Sequence, residues 1–285
     1  MLEVVRARID VDGKPAVEGL SFATTGERVL VLGAARALFE AAAGMRPVAH
    51  GEVRLRGEGH GSSVRSGKAA VAPLDPRVPP KWTVHTYVFW SARLAGHGRL
   101  RARTLADHAI DQLKIGNASD APLGALELVV RRATIVAGAL ATDARLILLE
   151  DPTSNLPDTQ ARSLARVIVQ ATAGRASILF AARMPLGSPL TMDADEAVVV
   201  TGGAVDAQGA PAELASSERT VALRVEGDSA SFARVAAERG AKVAGVGGHL
   251  RVDLGETLKV RDLLAVAAET QATLIEVRPV SGAFA

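Results

Sequence analysis

The chain has 285 residues with a formal charge of +2, 48% apolar and 22% charged residues, 3% aromatics and no cysteine. That length suits one large domain with a smaller companion. The mild charge excess and scattered arginines argue against a nucleic-acid partner, and the missing cysteines exclude disulfide and thiol chemistry and fit a reducing compartment.

The first thirteen residues alternate apolar and polar side chains, which predicts a strand rather than a secretion signal. No apolar run reaches the ~18 residues expected of a spanning helix, so a membrane role has to come through a partner. Val29–Leu32 and Leu146–Leu149 are short, continuously apolar runs, and Ile178–Phe180 and Ala197–Val200 are similar. They read as strands buried on both faces, as in a parallel sheet. Thr159–Ala171 places Leu164, Val167 and Ile168 on one face of a helix, and the alternation of strands with helices predicts an α/β fold. The stretch Thr83–Leu140 lacks strand patterns and reads as a helical insertion.

A polar stretch at Ala215–Arg219 marks a linker. Beyond it, Thr220–Glu226 reads as a strand, Ser229–Arg239 as a helix, Lys242–Val246 and His249–Leu254 as strands joined across Gly247 and Gly248, Val260–Thr270 as a helix and Thr273–Arg278 as a last strand. The order βαββαβ is that of a ferredoxin-like unit. The expected domains are 1–214, with a helical subdomain over about 83–140, and 220–285. His249 reads as a surface strand residue rather than a ligand. Pairing of the second unit through its sheet is an expectation from fold analogy.

A phosphate-binding loop of the form G-x-x-x-x-G-K-[ST] needs glycines so that backbone N–H groups face the phosphates, a lysine for the β and γ oxygens, and a hydroxyl for Mg²⁺. The strand ending at Leu32 runs instead into Gly33, Ala34, Ala35, Arg36, Ala37, Leu38, Phe39 and Glu40, and no lysine occurs between Lys14 and Lys68. A triphosphate laid there would meet nothing cationic from the first helix. Gly61–Lys68 mimics the motif, with one residue too many between its glycines, Ala69 in place of the hydroxyl and a strand rather than a helix after it. It reads as a flexible surface loop.

Segments along nearly the whole chain resemble the nucleotide-binding subunit of ABC transporters. They are Leu20–Phe22 with Gly26–Glu27, Gly44–Pro47 with Gly51–Val53, Thr83–Val84 through Arg93–Gly96, Leu146–Leu156, Ala194–Ala197, Gly202–Gly203 and Gly209–Leu214. The added tail resembles that of subunits serving ABC-2-type exporters. The resemblance implies a P-loop NTPase-like ABC ATPase fold with a helical subdomain, followed by the small α+β domain. Carried over position by position, the stretch Gly33–Pro47 is about five residues short of the family's loop, so the lysine is deleted. The glutamine that senses Mg²⁺ and the γ-phosphate falls at Leu74, which cannot ligate a metal. The switch histidine falls at Arg183, which keeps its proton near neutral pH and can bind anions. The base-stacking aromatic expected near Val11 or Asp12 is missing. The signature loop falls at Leu126–Val130 by counting back from Glu150, or at Leu123–Glu127 by chemistry. Both versions lose the serine and paired glycines and put Glu127 near a helix start.

Glu150 and Asp151 reverse the family's Asp-Glu order. Moving a carboxylate by about 1 Å costs on the order of 100-fold in rate where it positions a reactant, although paired acids at a strand end also suit a solvated turn. Trp82, Tyr87, Phe89 and Trp90 gather four of the nine aromatics where the family borders its permease-docking groove. They read either as an interface or as the core of the helical subdomain. The resemblance thus implies a catalytically degenerate ATP-binding-type subunit, cytoplasmic and peripheral to the inner membrane. Its partners would be an ABC-2-type permease and either an active ATPase subunit or a second copy. No cofactor is expected, with Mg-ATP only if the degenerate site still binds. The alternatives are a structural or regulatory scaffold without a transport role and an ATPase with an unusual site.

Overall fold

The computed structural model describes all residues except 60, 202, 218, 219, 256, 257 and 280–285. The chain begins with β1 (Leu2–Val11), β2 (Lys14–Ala23), β3 (Arg28–Leu32), α1 (Ala35–Ala42), β4 (His50–Leu55), α2 (Ser62–Arg65) and β5 (Ala69–Ala72). Three helices follow: α3 (Val84–Leu94), α4 (Arg99–Gln112) and α5 (Leu128–Ala141). It continues through β6 (Leu146–Glu150), α6 (Asp158–Ala171), β7 (Ala176–Ala181), α7 (Pro189–Met192), β8 (Glu196–Thr201), β9 (Ala204–Gly209) and α8 (Pro211–Ser217). The last elements are β10 (Thr220–Glu226), α9 (Ser229–Glu238), β11 (Lys242–Val246), β12 (His249–Asp253), α10 (Val260–Glu269) and β13 (Thr273–Pro279). Two compact units result, Met1–Pro211 and Ala212–Ala285.

In the first unit a six-stranded sheet runs in the order β5-β6-β7-β3-β8-β9. Its first five strands are parallel and β9 is antiparallel. The four apolar runs of the sequence are β3, β6, β7 and β8. Their side chains are almost wholly buried, because helices or loops cover both faces of a parallel sheet. A three-stranded antiparallel sheet, β2-β1-β4, packs beside it, its inward-facing Leu2, Val4, Ile9, Val17, Leu20 and Val53 sharing one core with Val31, Phe39 and Phe180. Phe39 and Phe180 meet edge to face at 5.7 Å. Gly33 follows β3 at φ 102°, and a Cβ there would lie 1.8 Å from the Val200 carbonyl oxygen, so only glycine lets β8 pass this close.

Helices α3, α4 and α5 form the helical segment. On α3 the buried side chains are Val84, Val88 and Ala92, spaced by four, while α5 is buried from Arg132 to Ala141. The Thr83 side chain caps α3 by accepting from the Thr86 N–H. Two sequence expectations need correction. Gly61–Lys68 is not a bare loop: Gly61 takes a left-handed conformation and Ser62–Arg65 wind into α2. Ser63 is buried, its hydroxyl donating to Leu55 O and the Glu58 carboxylate, and that anchoring is what orders the segment. The linker expected at 215–219 is partly helical, since α8 extends to Ser217. Glu218 and Arg219 of that linker, Gly202 of the Gly202–Gly203 turn and 280–285 lie outside the described residues.

The second unit carries an antiparallel sheet of order β11-β12-β10-β13. With its two helices this is the ferredoxin-like arrangement of βαββαβ. Val221, Leu223, Val225, Leu250 and Val252 line one face of the sheet and share a core with Phe232, Leu263 and Val266 of the helices. His249 is exposed on β12.

Candidate functional site

Parallel strands place their following loops along one edge, and in such sheets ligands bind outside the carboxyl ends of the strands. The order β5-β6-β7-β3 therefore sets Leu74, Glu150 with Asp151, Arg183 and Gly33 side by side. All of the positions picked from the sequence reach this edge, but their side chains make different contacts there.

Glu150 ends β6 and is 8% exposed. Its Oε2 accepts from the backbone N–H of Leu74 at 2.9 Å, and its Oε1 lies 3.9 Å from Arg36 Nε. Arg36 also donates to Glu40 Oε1 at 3.0 Å. Glu40 receives Arg46 at 2.6 Å, and Arg46 reaches Asp10 O at 2.9 Å. Burial works against an ionised Glu40, yet the hydrogen bonds from Arg36 and Arg46 outweigh it and hold its carboxyl below the ordinary range. The expectation that nothing cationic comes from the first helix is thus corrected. Arg36 sits in the first turn of α1 and its charge is spent on Glu40 and Glu150. The sequence signal was the Arg36–Glu40 spacing of four, which pairs charges on one helix face.

Helix α1 opens at Ala34 without a side-chain cap. The turn before it holds backbone groups alone, with the Gly33 N–H donated to Ala181 O at 3.2 Å and the Ala35 N–H folded back on Gly33 O at 2.7 Å. Leu74 contributes its amide, and its alkyl side chain offers no ligand. Arg183 is exposed and makes no ion pair among the described residues.

Asp151 follows Glu150 at φ 24°, its N–H donated to Phe180 O at 2.9 Å and its Oδ1 accepting from the Thr153 hydroxyl at 3.1 Å. Burial pushes its carboxyl above the ordinary range, with Thr153 and the charge of Arg132 opposing. Neither acid lies in a solvated turn. Sequence reasoning passed over Arg132. Its side chain is 3% exposed, Nη2 lies 3.2 Å from Asp75 Oδ2, and Nε and Nη1 have no partner among the described residues. This arginine ties α5 to the loop after β5, and its one signal was a charge inside the apolar run of α5. Glu127 is the N-cap residue of α5, yet its side chain makes no capping bond. Among the described residues no group of three or more acidic, histidine or cysteine side chains is arranged to hold a metal.

The aromatic window divides. Tyr87 packs on α5, where a Cβ added to Gly138 would lie 2.8 Å from its ring. Trp82 and Trp90 are 37% and 43% exposed, and Phe89 lies between His85 and Trp90 at ring distances of 6.2 and 5.8 Å. The tryptophans are therefore not the core of the helical segment, which is aliphatic. A cavity of about 410 Å³ is lined by Tyr87 of this window, with Val71, Ser91, Leu94, Gly138 and Thr142 among others; Trp82, Phe89 and Trp90 are not among its lining residues.

No family model matches the chain. It is 29% identical over 172 residues, 59% of its length, to the Nod factor export ATP-binding protein I of Burkholderia orbicola. It is 31% identical over 160 residues to the protein of the same name from Burkholderia thailandensis. The chain spans about half the length of these curated relatives, 55% and 52%. Among solved structures, cbiO1 from Clostridium perfringens, part of the ABC transporter complex cbiONQ, superposes with a TM-score of 0.63 at 19% identity, over 75% of this chain and 89% of that one. A nucleotide-free ATP-binding cassette from an ABC transporter gives 0.63 at 16% identity, over 74% and 91%. The chain has the ATP-binding-cassette fold and, over rather more than half its length, is similar in sequence to Nod factor export ATP-binding proteins.

Proposed function

We propose that this chain is the ATP-binding-type subunit of an ABC-2-type exporter and no longer hydrolyses ATP. The observation that carries the reading is the state of Glu150. One of its oxygens accepts from the Leu74 N–H and the other lies 3.9 Å from Arg36, so the chain itself already engages the carboxylate. Mg²⁺ needs ionised oxygens free to join an octahedron. Phosphoryl transfer is positioning plus charge stabilisation, and the edge offers no lysine, glutamine, histidine or signature serine for either. The residues present do not fit a magnesium nucleotide, and no catalytic step is assigned to them.

Its place would be peripheral, on the cytoplasmic face of the membrane, a reading that rests on its similarity to export ATP-binding proteins; no helix among the described residues is long and apolar enough to cross a membrane. The permease would dock on the helical segment, where Tyr87 and Leu94 line a cavity and Trp82 and Trp90 of the same segment are exposed. Partly exposed aromatics are frequent anchors of an interface. The subunit would pair with an active ATPase subunit or with a second copy.

Phosphate release from ATP with Mg²⁺ tests the reading. The expected result is release at the level of a blank, in the isolated chain and after adding lipid. A turnover that disappears in Glu150→Gln would overturn it.

A further inference from the structure

The opposite edge of the six-stranded sheet holds a second charged recess. Lys68 directly precedes β5 and Arg145 directly precedes β6, so both sit at the amino ends of parallel strands, across the sheet from Glu150. A cavity of about 480 Å³ opens there, lined by Arg56, Glu58, Ser63, Lys68, Asp143 and Arg145 among others. That volume lies within the range of small-molecule sites.

The charges in it do not cancel. Glu58 is committed to Lys68 and accepts from the Ser63 hydroxyl at 2.8 Å. These two contacts, Lys68 first, hold its carboxyl below the ordinary range. Asp143 is committed to Arg101 at 2.7 Å, with Arg175 at 3.8 Å on its other oxygen. Once both acids are matched, Arg56 and Arg145 remain, and neither has a carboxylate partner among the described residues. Guanidinium groups favour planar, bidentate recognition of phosphate oxygens.

We infer that this cavity is an anion site for a phosphate-bearing ligand, gripped by Arg56 and Arg145 with the Lys68–Glu58 pair at its wall. The phosphate group comes from a free phosphorylated small molecule or from a lipid headgroup. The site is independent of the nucleotide edge, and the proposal holds whether or not the chain hydrolyses ATP.

The test titrates inorganic pyrophosphate into the full chain in magnesium-free, low-salt buffer and follows it by calorimetry. Binding at about millimolar strength or tighter is expected from two charge-assisted contacts. The double variant Arg56→Ala, Arg145→Ala should weaken it by about tenfold or more. Glu58→Gln, which frees Lys68, should tighten it, a gain that misfolding would not produce. Arg261→Ala, an exposed arginine on α10 of the second unit, should leave it unchanged. Sedimentation with phosphatidylcholine vesicles containing phosphatidic acid then separates the sources. Co-sedimentation lost in the double variant and competed by pyrophosphate identifies a headgroup; pyrophosphate binding without co-sedimentation identifies a free ligand. No binding at pyrophosphate concentrations about ten times the expected dissociation constant, equal binding by the double variant, or equal loss in Arg261→Ala overturns the assignment.

Discussion

The strands of the central sheet and the loops at their carboxyl ends have had different fates. Val29–Leu32, Leu146–Leu149 and Ile178–Phe180 are the apolar runs a cassette core needs, and they are buried. The loops after them have the right positions and other residues. Gly33, Glu150 and Arg183 share an edge, where Glu150 bonds the Leu74 amide and lies near Arg36 while Arg183 stays exposed. Packing selects for volume and apolarity wherever the sheet is covered, whereas loops answer to the ligand they hold. A buried carboxylate needs donors, and here the Leu74 amide supplies one with Arg36 nearby.

Three measurements would break or sharpen this contrast. The largest effect belongs to the strands. Phe180→Ala removes a ring that is fully buried against Phe39 and should cost about 3–5 kcal/mol in denaturant unfolding. A loss below about 1 kcal/mol would show that this layer is not the core. At the loop edge, Glu150→Ala strands the Leu74 N–H and leaves Arg36 with Glu40 alone. A loss of about 1–3 kcal/mol is expected. A gain in stability would instead mark Glu150 as a strained group kept for a ligand, as active-site residues often are.

The smallest effect is in pH dependence. Burial raises the folded-state pKa of Asp151 above its unfolded value, so the fold favours the protonated form. Stability from this group is greatest at acid pH and falls as pH rises from the ordinary carboxylate range through the raised value. Glu40 and Glu196 run the other way: their lowered pKa values give stability above the unfolded value that is lost as pH falls through the folded one. Both act equally in wild type and Asp151→Asn, so the difference between the two melting curves isolates Asp151. It should slope downward as pH rises above the ordinary carboxylate range. A flat difference would mean that Asp151 is solvated after all.

Much of the fold was legible because its signals are local. A continuous apolar run bounded by turns marks a covered strand, and the tail's βαββαβ order followed from period and from the Gly247–Gly248 turn. The site was legible in position and less so in contact. Glu150, Leu74 and Arg183 were found by resemblance, yet nothing in their spacing said that the Leu74 amide would bond Glu150 across 76 residues. The aromatic window was ambiguous for a similar reason. Residues 82–90 alone cannot tell that Tyr87 lies against Gly138 while Trp90 faces outward.

By itself, the sequence determined which strands would be buried, that a lysine and a hydroxyl are missing after β3, and that two units follow one another. Those properties depend on composition and on neighbours a few residues away. Only the tertiary structure decided that Arg36 approaches Glu150, that Arg132 is buried against Asp75, and that Arg56 and Arg145 line one recess. Electrostatic pairing acts through distance in space, and a parallel sheet joins residues that the chain keeps far apart.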